Sequence, residues 1–453
     1  MKHNWIKPFT IEAYTFNGAY SFSNGSGYNY ILSKAGNSIV LDDKLLLNLN
    51  DHIISEDFAL KLLTHGLIEI KGVEHCNTKP SCTLDIVKPS VFVIDITKAC
   101  NMNCIYCFRD LNNHKTIKLQ TLKDICNYID TNVTNLNIQK ISIQLWGGEP
   151  LCAINQIRFV SDYFSDKTYS VKLDIETNAT LITPQIAKEL YDKQISVGVS
   201  LDGYPEIQNR QRPLENGNES SDAVKIGINN LASVYGNNFG GICVITKYNY
   251  RHIVELLNYY VNVLGLHSLK FNLVRDNPNA SSQSIGLTEK EARKFCETLI
   301  EALKFYKILG VDFSEGNILT KYYNLIEHYT GNCCISQGCT GGIRILSFDM
   351  NGDIYPCEMT DYPEVKLGSI YSDEDLMSII KKASCKNSYY KTRKKGECNT
   401  CPWWCFCKGG CSSRVYYIHQ PDSVDEIECI LNQTIYPQLI DNILNRKIGT
   451  VIT

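Results

Sequence analysis

The sequence predicts an α/β protein: a partial (β/α)6 barrel of the TIM type, preceded by a small α+β unit and followed by a cysteine-rich domain. Three observations predict it. Between Val91 and about residue 330, apolar runs of strand length alternate six times with amphipathic segments. The residues before that series carry strand, turn and cap signals of their own. After about Gly331, eleven of the twenty cysteines crowd into a region that reads as short of long periodic elements.

A chain of 453 residues has room for two or three domains. Apolar residues make up 44% and charged residues 21%, as in ordinary globular proteins. Net charge is −3, and the one short basic run, Lys391 to Lys395, reads as a solvated loop, so nothing argues for nucleic acid. Met1 to Thr10 is mixed polar, and no stretch approaches the ~20 apolar residues that span a bilayer. The expected compartment is the cytoplasm, with no membrane partner. Thiols stay reduced there, and clustered cysteines bind metal more often than they form disulfides.

Taken in order, residues 1–88 form the first unit. Tyr28 to Ser33 and Ser38 to Leu41 read as strands around the turn Ala35-Gly36-Asn37. Asp42 and Asp43 cap the apolar stretch Leu45 to Leu49, and Ser55 with Glu56 and Asp57 opens a second helix through Leu63. Gly66 stops it, and Leu67 to Ile70 returns as a strand, giving a winged-helix-like pattern. Glu74 to Ser90, with two prolines, reads as a linker.

Residues 89–330 hold the barrel. Its strands are expected at Val91–Ile96, Ile141–Leu145, Val171–Ile175, Ile195–Leu201, Ile242–Thr246 and Leu269–Val274, with a helix after each. Serial β/α units build parallel sheets with right-handed crossovers, and their chemistry sits at the C-terminal strand ends. Residues 331–430 form the cysteine-rich domain, and 431–453 a C-terminal helix or tail. Asn351-Gly352 marks a hairpin between Arg344–Met350 and Asp353–Cys357.

The chemistry begins where the first strand ends. Cys100, Cys104 and Cys107 follow Thr97 with C-x3-C-x2-C spacing. A [4Fe–4S] cube normally takes four thiolates, so three leave one iron open, and an open position is what a catalytic metal needs. After the second strand comes Trp146-Gly147-Gly148-Glu149-Pro150, where glycines allow close backbone approach and an acid can pair an ammonium. Glu176-Thr177-Asn178 closes the third strand, and Ser200-Leu-Asp-Gly203 the fourth, with Arg212-Pro213 soon after.

These motifs, in this order, resemble the radical S-adenosylmethionine (SAM) superfamily. The resemblance implies that SAM binds the open iron and is cleaved reductively to a 5′-deoxyadenosyl radical. It implies that Gly147, Gly148 and Glu149 receive the SAM amino group, and that Thr177, Asn178 and Ser200 touch ribose and methionine. Arg212 would pair the SAM carboxylate, and Tyr106 and Phe108 would lie near the adenine.

Cys339, Gly352, Cys357, Cys398-x2-Cys401-x5-Cys407-x3-Cys411 and Cys429 resemble the seven-cysteine SPASM domain. That likeness implies two auxiliary [4Fe–4S] clusters, one on Cys333, Cys339, Cys357 and Cys411, the other on Cys398, Cys401, Cys407 and Cys429. Either Cys333 or Cys334 could serve; Cys333 keeps the five-residue gap to Cys339 found in sulfatase-maturating relatives. Cys405 has no assigned role. Glu358 stands where those relatives carry a basic Asp, one methylene shorter. C-x2-C pairs also make zinc sites, which remains an alternative for this domain.

The N-terminal pattern resembles the recognition domain of maturases of ribosomally made peptides, which grips a leader peptide as an added strand. The implied function is peptide maturation through a thioether or carbon–carbon crosslink. The implied partners are a leader-bearing precursor peptide and an electron donor such as flavodoxin or ferredoxin. The alternatives are formylglycine formation on a Cys or Ser, and a noncatalytic iron–sulfur or zinc protein.

Overall fold

A computed structural model describes residues 1–11, 14–71, 88–110, 113–275, 284–326, 334, 338–360, 363–386, 394–417 and 423–446. Among the described residues, no helix is long and apolar enough to cross a membrane.

The N-terminal segment contains more strands than its sequence announces. β1 (Lys2–Ile6), β2 (Phe9–Ile11), β3 (Tyr14–Phe16), β4 (Ala19–Ser23), β5 (Tyr28–Ser33), β6 (Ser38–Asp42) and β7 (Ile68–Ile70) form two antiparallel sheets, β1-β4-β5-β6 and β2-β3-β7. β5, β6 and β7 lie where the turn and apolar signals put them. β1 to β4 were not foreseen, because short mixed-polar runs such as Lys-His-Asn-Trp-Ile show no clean period. The helices Asp43–Asn50 and Glu56–Thr64 start as expected, with Asp42 and Ser55 accepting the backbone N–H of Leu45 and Phe58. Phe16, Ile31, Leu41, Leu49, Phe58 and Leu62 close a small core of their own.

The β/α series yields β8 (Val91–Thr97), β9 (Lys140–Gly147), β10 (Ser170–Thr177), β11 (Ser196–Ser200), β12 (Gly240–Ile245) and β13 (Ser268–Leu273). Neighbours pair in parallel along the whole run. On β10, Leu173, Ile175 and Thr177 are buried, while Asp174 and Glu176 between them are half-buried. The face turned from the helices is thus polar and reachable, a surface on which a site can be built. β14 (Ser314–Glu315) extends one edge of the sheet.

The other edge belongs to the cysteine-rich region. β15 (Ile345–Phe348) pairs in parallel with β8, matching Ile345 with Val91 and Phe348 with Ile94. β16 (Asp353–Tyr355) returns antiparallel, and β17 (Gly368–Ser369) follows it, so the parallel strands and the hairpin share one ten-stranded sheet. The turn between β15 and β16 is the expected one: Gly352 has φ +83°, and the Asp349 carboxylate accepts the N–H of Asn351 and Asp353 at 2.8 Å. This region is less poor in helix than its sequence suggests. Leu376–Lys386 and Glu426–Arg446 are both helical, and the latter runs through Pro437 and across the boundary expected at residue 430.

Candidate functional site

The sheet leads directly into the first cysteine loop. Register between β8 and β9 shifts between Asp95 and Thr97, an irregularity of the kind that redirects a strand end. The loop is strapped from two sides. Asn103 and Ile105 donate backbone N–H groups to Pro213 and Gln211, and Asn101 Nδ2 donates to Thr180 at 2.7 Å. Cys100, Cys104 and Cys107 lie close enough to act on one another's charge. Burial pushes the Cys100 thiol up to about 11 and the Cys104 thiol to about 12, with Arg212 opposing the rise at Cys104. Buried thiols held together in this way are costly to ionise unless a metal neutralises them.

Gly147 and Gly148 earn their place through the loop rather than through backbone conformation. A Cβ on Gly147 would stand 2.5 Å from the Thr97 carbonyl, and one on Gly148 would stand 2.4 Å from that of Ala99. This contact lets Gly148 N and Glu149 N bond those same carbonyls at 2.9 and 2.8 Å. Glu149 is buried, and its carboxylate accepts Thr177 Oγ1 at 2.7 Å, Asn178 N at 2.7 Å and Leu151 N at 3.0 Å. Burial raises its pKa despite those bonds. A carboxylate has about four acceptor sites, so one remains for an ammonium.

Asn178 Nδ2 donates to Asn101 in the cysteine loop at 2.8 Å, joining the third strand end to the first. Arg212 is nearly buried; its NH1 donates to the Tyr106 hydroxyl at 2.5 Å and stands 3.9 Å from Asp202. Its Nε is buried without a partner, a donor left for a carboxylate. Tyr106 in turn donates to Asp202 at 2.5 Å, so its hydroxyl is committed to this cluster. Ser200 stands half-buried at the end of β11, and Phe108 lies on the rim, 5.7 Å under the Arg109 guanidinium. Sequence reasoning passed over Asp202, although it lies inside the quoted Ser200-Leu-Asp-Gly203 stretch; the signal was its place between two singled-out residues.

A narrow cleft opens between this loop and the β15–β16 hairpin. Asp95, Lys98, Arg109 and Trp146 line it together with Cys357 and Glu358. Lys98 and Arg109 both pair with Asp95, at 2.6 and 3.2 Å. Glu176, across the sheet, has its carboxyl pushed up to about 7, first by burial and then by the charge of Glu358, with Lys270 opposing.

The cysteine-rich region gathers two further thiol sets. Cys334 stands near Cys339, Cys357 and Cys411: it is an exposed residue, yet its thiol is raised by burial and then by Glu358 and those three thiols. Cys333 lies outside the described residues, so the geometry speaks only for its neighbour. Cys357 N donates to Thr360 Oγ1 at 3.2 Å, and Cys411 N donates to Asp425 at 3.1 Å. In the second set, the Cys429 thiol is raised by burial and then by Cys401 and Cys398, and that of Cys407 by burial, Glu428 and Cys429. Cys429 reaches the set from the helix Glu426–Arg446, and Gln433 Nε2 donates to its sulfur at 3.4 Å. Cys405 is buried and donates its thiol to the Pro402 carbonyl at 3.4 Å.

Among the described residues no three His, Cys, Asp or Glu side chains converge closely enough to share a single ion.

Residues 94–260 match the radical SAM superfamily, and residues 339–402 match the SPASM iron–sulfur cluster-binding domain. An uncharacterized protein of Methanocaldococcus jannaschii is 36% identical over 185 residues, 40% of this chain and 62% of that protein. The cysteine-type anaerobic sulfatase-maturating enzyme of Clostridium novyi is 27% identical across 71% of this chain and 87% of its own length. The mycofactocin maturase of Mycobacterium tuberculosis is 23% identical across 76% of this chain and 83% of its own length. Among solved structures, anSMEcpe with bound AdoMet and the Cp18Cys peptide superposes with a TM-score of 0.65 at 21% identity, over 79% of this chain and 99% of that one. Streptococcus suis SuiB bound to its precursor peptide SuiA gives 0.56 at 18% identity, over 89% and 96%. Both likenesses speak to the fold.

Proposed function

We propose that this chain, a radical SAM enzyme extended by a SPASM domain, is a peptide maturase that crosslinks a ribosomally made precursor. One observation carries the reading. The cleft beside the first thiol triple has Cys357 and Glu358 of an auxiliary thiol set on its opposite wall, so a substrate held there lies between two redox groups.

On this reading Cys100, Cys104 and Cys107 hold the SAM-binding [4Fe–4S] group. Glu149 takes the SAM ammonium, beside Gly147 and Gly148, and Arg212 takes the carboxylate through its unpartnered Nε. Thr177, Asn178 and Ser200 line the ribose and methionine, with Tyr106 and Phe108 toward the adenine. When bound, these cofactors supply a deoxyadenosyl radical that removes a hydrogen atom from the peptide and an acceptor for the electron left over. Joining a peptide carbon to a thiol or a second carbon removes two hydrogens in all; Glu358 takes the one that leaves as a proton.

Cys339, Cys357 and Cys411 hold the first auxiliary cluster with a fourth thiol, which the spacing assigns to Cys333 and the described geometry offers from Cys334. Cys398, Cys401, Cys407 and Cys429 hold the second. We divide the chain near residues 88 and 330 and count the helix Glu426–Arg446 with the cysteine-rich domain, because it carries Cys429. The first domain, with its own core and antiparallel sheets, serves as the winged-helix-like grip on the leader peptide, by strand addition. The second is the partial barrel, and flavodoxin or ferredoxin supplies electrons.

The test is anaerobic: iron content and deoxyadenosine formation from SAM and a reductant, compared with Cys104→Ala. About twelve irons per chain and deoxyadenosine that the variant abolishes support the reading. Zinc in place of iron, with no deoxyadenosine, overturns it.

A further inference from the structure

Each auxiliary thiol set receives a cation from the side of the parallel sheet, buried Lys321 in one case and half-buried Arg275 in the other, and the two are treated differently. Lys321, on the helix Gly316–Ile326, is 1% exposed and approaches the second set near Cys407. Its charge is spent locally: Nζ meets Glu428 at 2.6 Å and Asn432 at 2.5 Å. The donors that the second set receives at sulfur are neutral: the Gln433 amide at Cys429, and backbone N–H groups of Trp403 and Trp404 at Cys401 and of Gly409 at Cys407.

Arg275 follows β13 by two residues, and Val274 between them is tied back to β12 by its N–H to the Ile245 carbonyl. Its NH1 donates to Cys411 Sγ at 3.7 Å and to Ser413 Oγ at 2.9 Å. Ser413 is 1% exposed, which fixes the guanidinium against the sulfur. Cys357, Glu358 and Asp425 are its other charged neighbours. Asp425 is already engaged, accepting Arg414 at 3.3 Å and the N–H groups of Cys411 and Glu428 at 3.1 Å each. A charged donor bonds an anionic acceptor roughly twice as strongly as a neutral one, and a cation beside a cluster favours its more negative, reduced form.

We infer that Arg275 is a tuning residue that makes the auxiliary group on Cys339, Cys357 and Cys411 easier to reduce than the group on Cys398, Cys401, Cys407 and Cys429. This rests on the reading that both sets hold iron–sulfur clusters. The order of potentials has a direction built in. When a peptide radical closes its bond it loses one electron and one proton; the proton goes to Glu358 and the electron to the group whose Cys357 shares the cleft, which gains one negative charge beside the guanidinium.

The experiment is a reductive titration of the reconstituted full chain followed by electron paramagnetic resonance, with iron content measured alongside. The step that changes on adding SAM belongs to the first triple; the other two are auxiliary. In Arg275→Gln one auxiliary step becomes harder to reduce by about tenfold in its equilibrium constant, about 59 mV for one electron. Arg275→Lys, which keeps the charge but not the fork, moves the same step less. Steps that coincide with wild type in both variants at full iron content overturn the inference, as does loss of iron in both with no shift in what remains, which is the mark of a mere brace. A wild-type chain with about four irons and one step overturns the auxiliary reading itself, and this inference with it.

Discussion

Gly148→Ala turns the Gly147-Gly148 pair into a measurement of how tightly the first cysteine loop is seated. Neither Gly147 nor Gly148 has a positive φ, so backbone conformation is no obstacle to alanine. Space is the obstacle: the new Cβ would lie 2.4 Å from the Ala99 carbonyl oxygen and 2.7 Å from that of Lys98. Both are backbone atoms of the loop carrying Cys100, and neither can swing aside as a side chain would. Relief requires the loop to back away by more than half an ångström, by the difference from the ~3.0 Å floor of ordinary contacts. That movement strains the two bonds from Gly148 N to Thr97 and from Glu149 N to Ala99. Overpacking of this kind costs roughly 1–3 kcal/mol, and each strained backbone bond about 1 kcal/mol more, for a loss of about 3–5 kcal/mol. Gly240→Ala is the control, since its Cβ would meet nothing nearer than 3.7 Å. The assay is denaturant unfolding of both variants, with iron content after anaerobic reconstitution. Gly148→Ala should fall short in stability and lose the irons of the first triple, whereas Gly240→Ala should hold both. A Gly148→Ala protein as stable and as iron-rich as wild type would refute the argument that these glycines exist to seat the loop.

Three further outcomes follow from the same geometry. The Glu176 carboxyl sits at about 7 in the folded chain, above its ordinary value near 4.3, so its destabilising ionisation is absent below that value and grows as pH rises to 7; Glu176→Gln should raise unfolding free energy above pH 7 by up to about 3 kcal/mol, and leave it unchanged near pH 4, as measured by denaturant unfolding. Cys333→Ala should lose about four of about twelve irons while Cys334→Ala keeps them, and iron analysis showing the reverse would move the ligand to Cys334. Lys321→Met strands the Glu428 carboxylate with which it pairs at 2.6 Å and should cost about 3–5 kcal/mol in urea unfolding; adding Glu428→Gln should recover most of it, and no recovery would mean that packing, not charge, is at stake.

Local signals survived the passage from sequence to structure, and long-range ones did not. Six apolar runs became six parallel strands because a strand buried beneath helices advertises itself by composition. Asp42, Ser55 and Asn351-Gly352 capped or turned the chain where read, since those jobs depend on near neighbours. The pairing of β15 with β8 could not be read, because a strand's sequence says that it pairs but not with what. Arg275, Asp202 and Lys321 escaped for the same reason: their meaning lies in partners from 96 to 138 positions away, as with Tyr106 for Asp202, Glu428 for Lys321 and Ser413 for Arg275. The helix Glu426–Arg446 was cut short in the reading because Cys429 was counted as the end of a cysteine motif, and the chain continues helically through Pro437.

The shared edge between β8 and β15 also bears on how such a chain can change over generations. β8 launches the cysteine loop, and the hairpin of β15 and β16 ends at Cys357 and Glu358, so one ladder of hydrogen bonds fixes the distance between both walls of the cleft. Pairing has a period of two, so inserting or deleting a single residue between Ser347 and Cys357 would swing Glu358 to the opposite face of the sheet. Substitutions that spare the Asp349 and Gly352 turn, the buried Phe348 and Ile354 and Cys357 can accumulate along that stretch, but changes in its length cannot. A graft of another such module onto this parallel sheet would have to conserve the count of residues in the hairpin as well as those few identities.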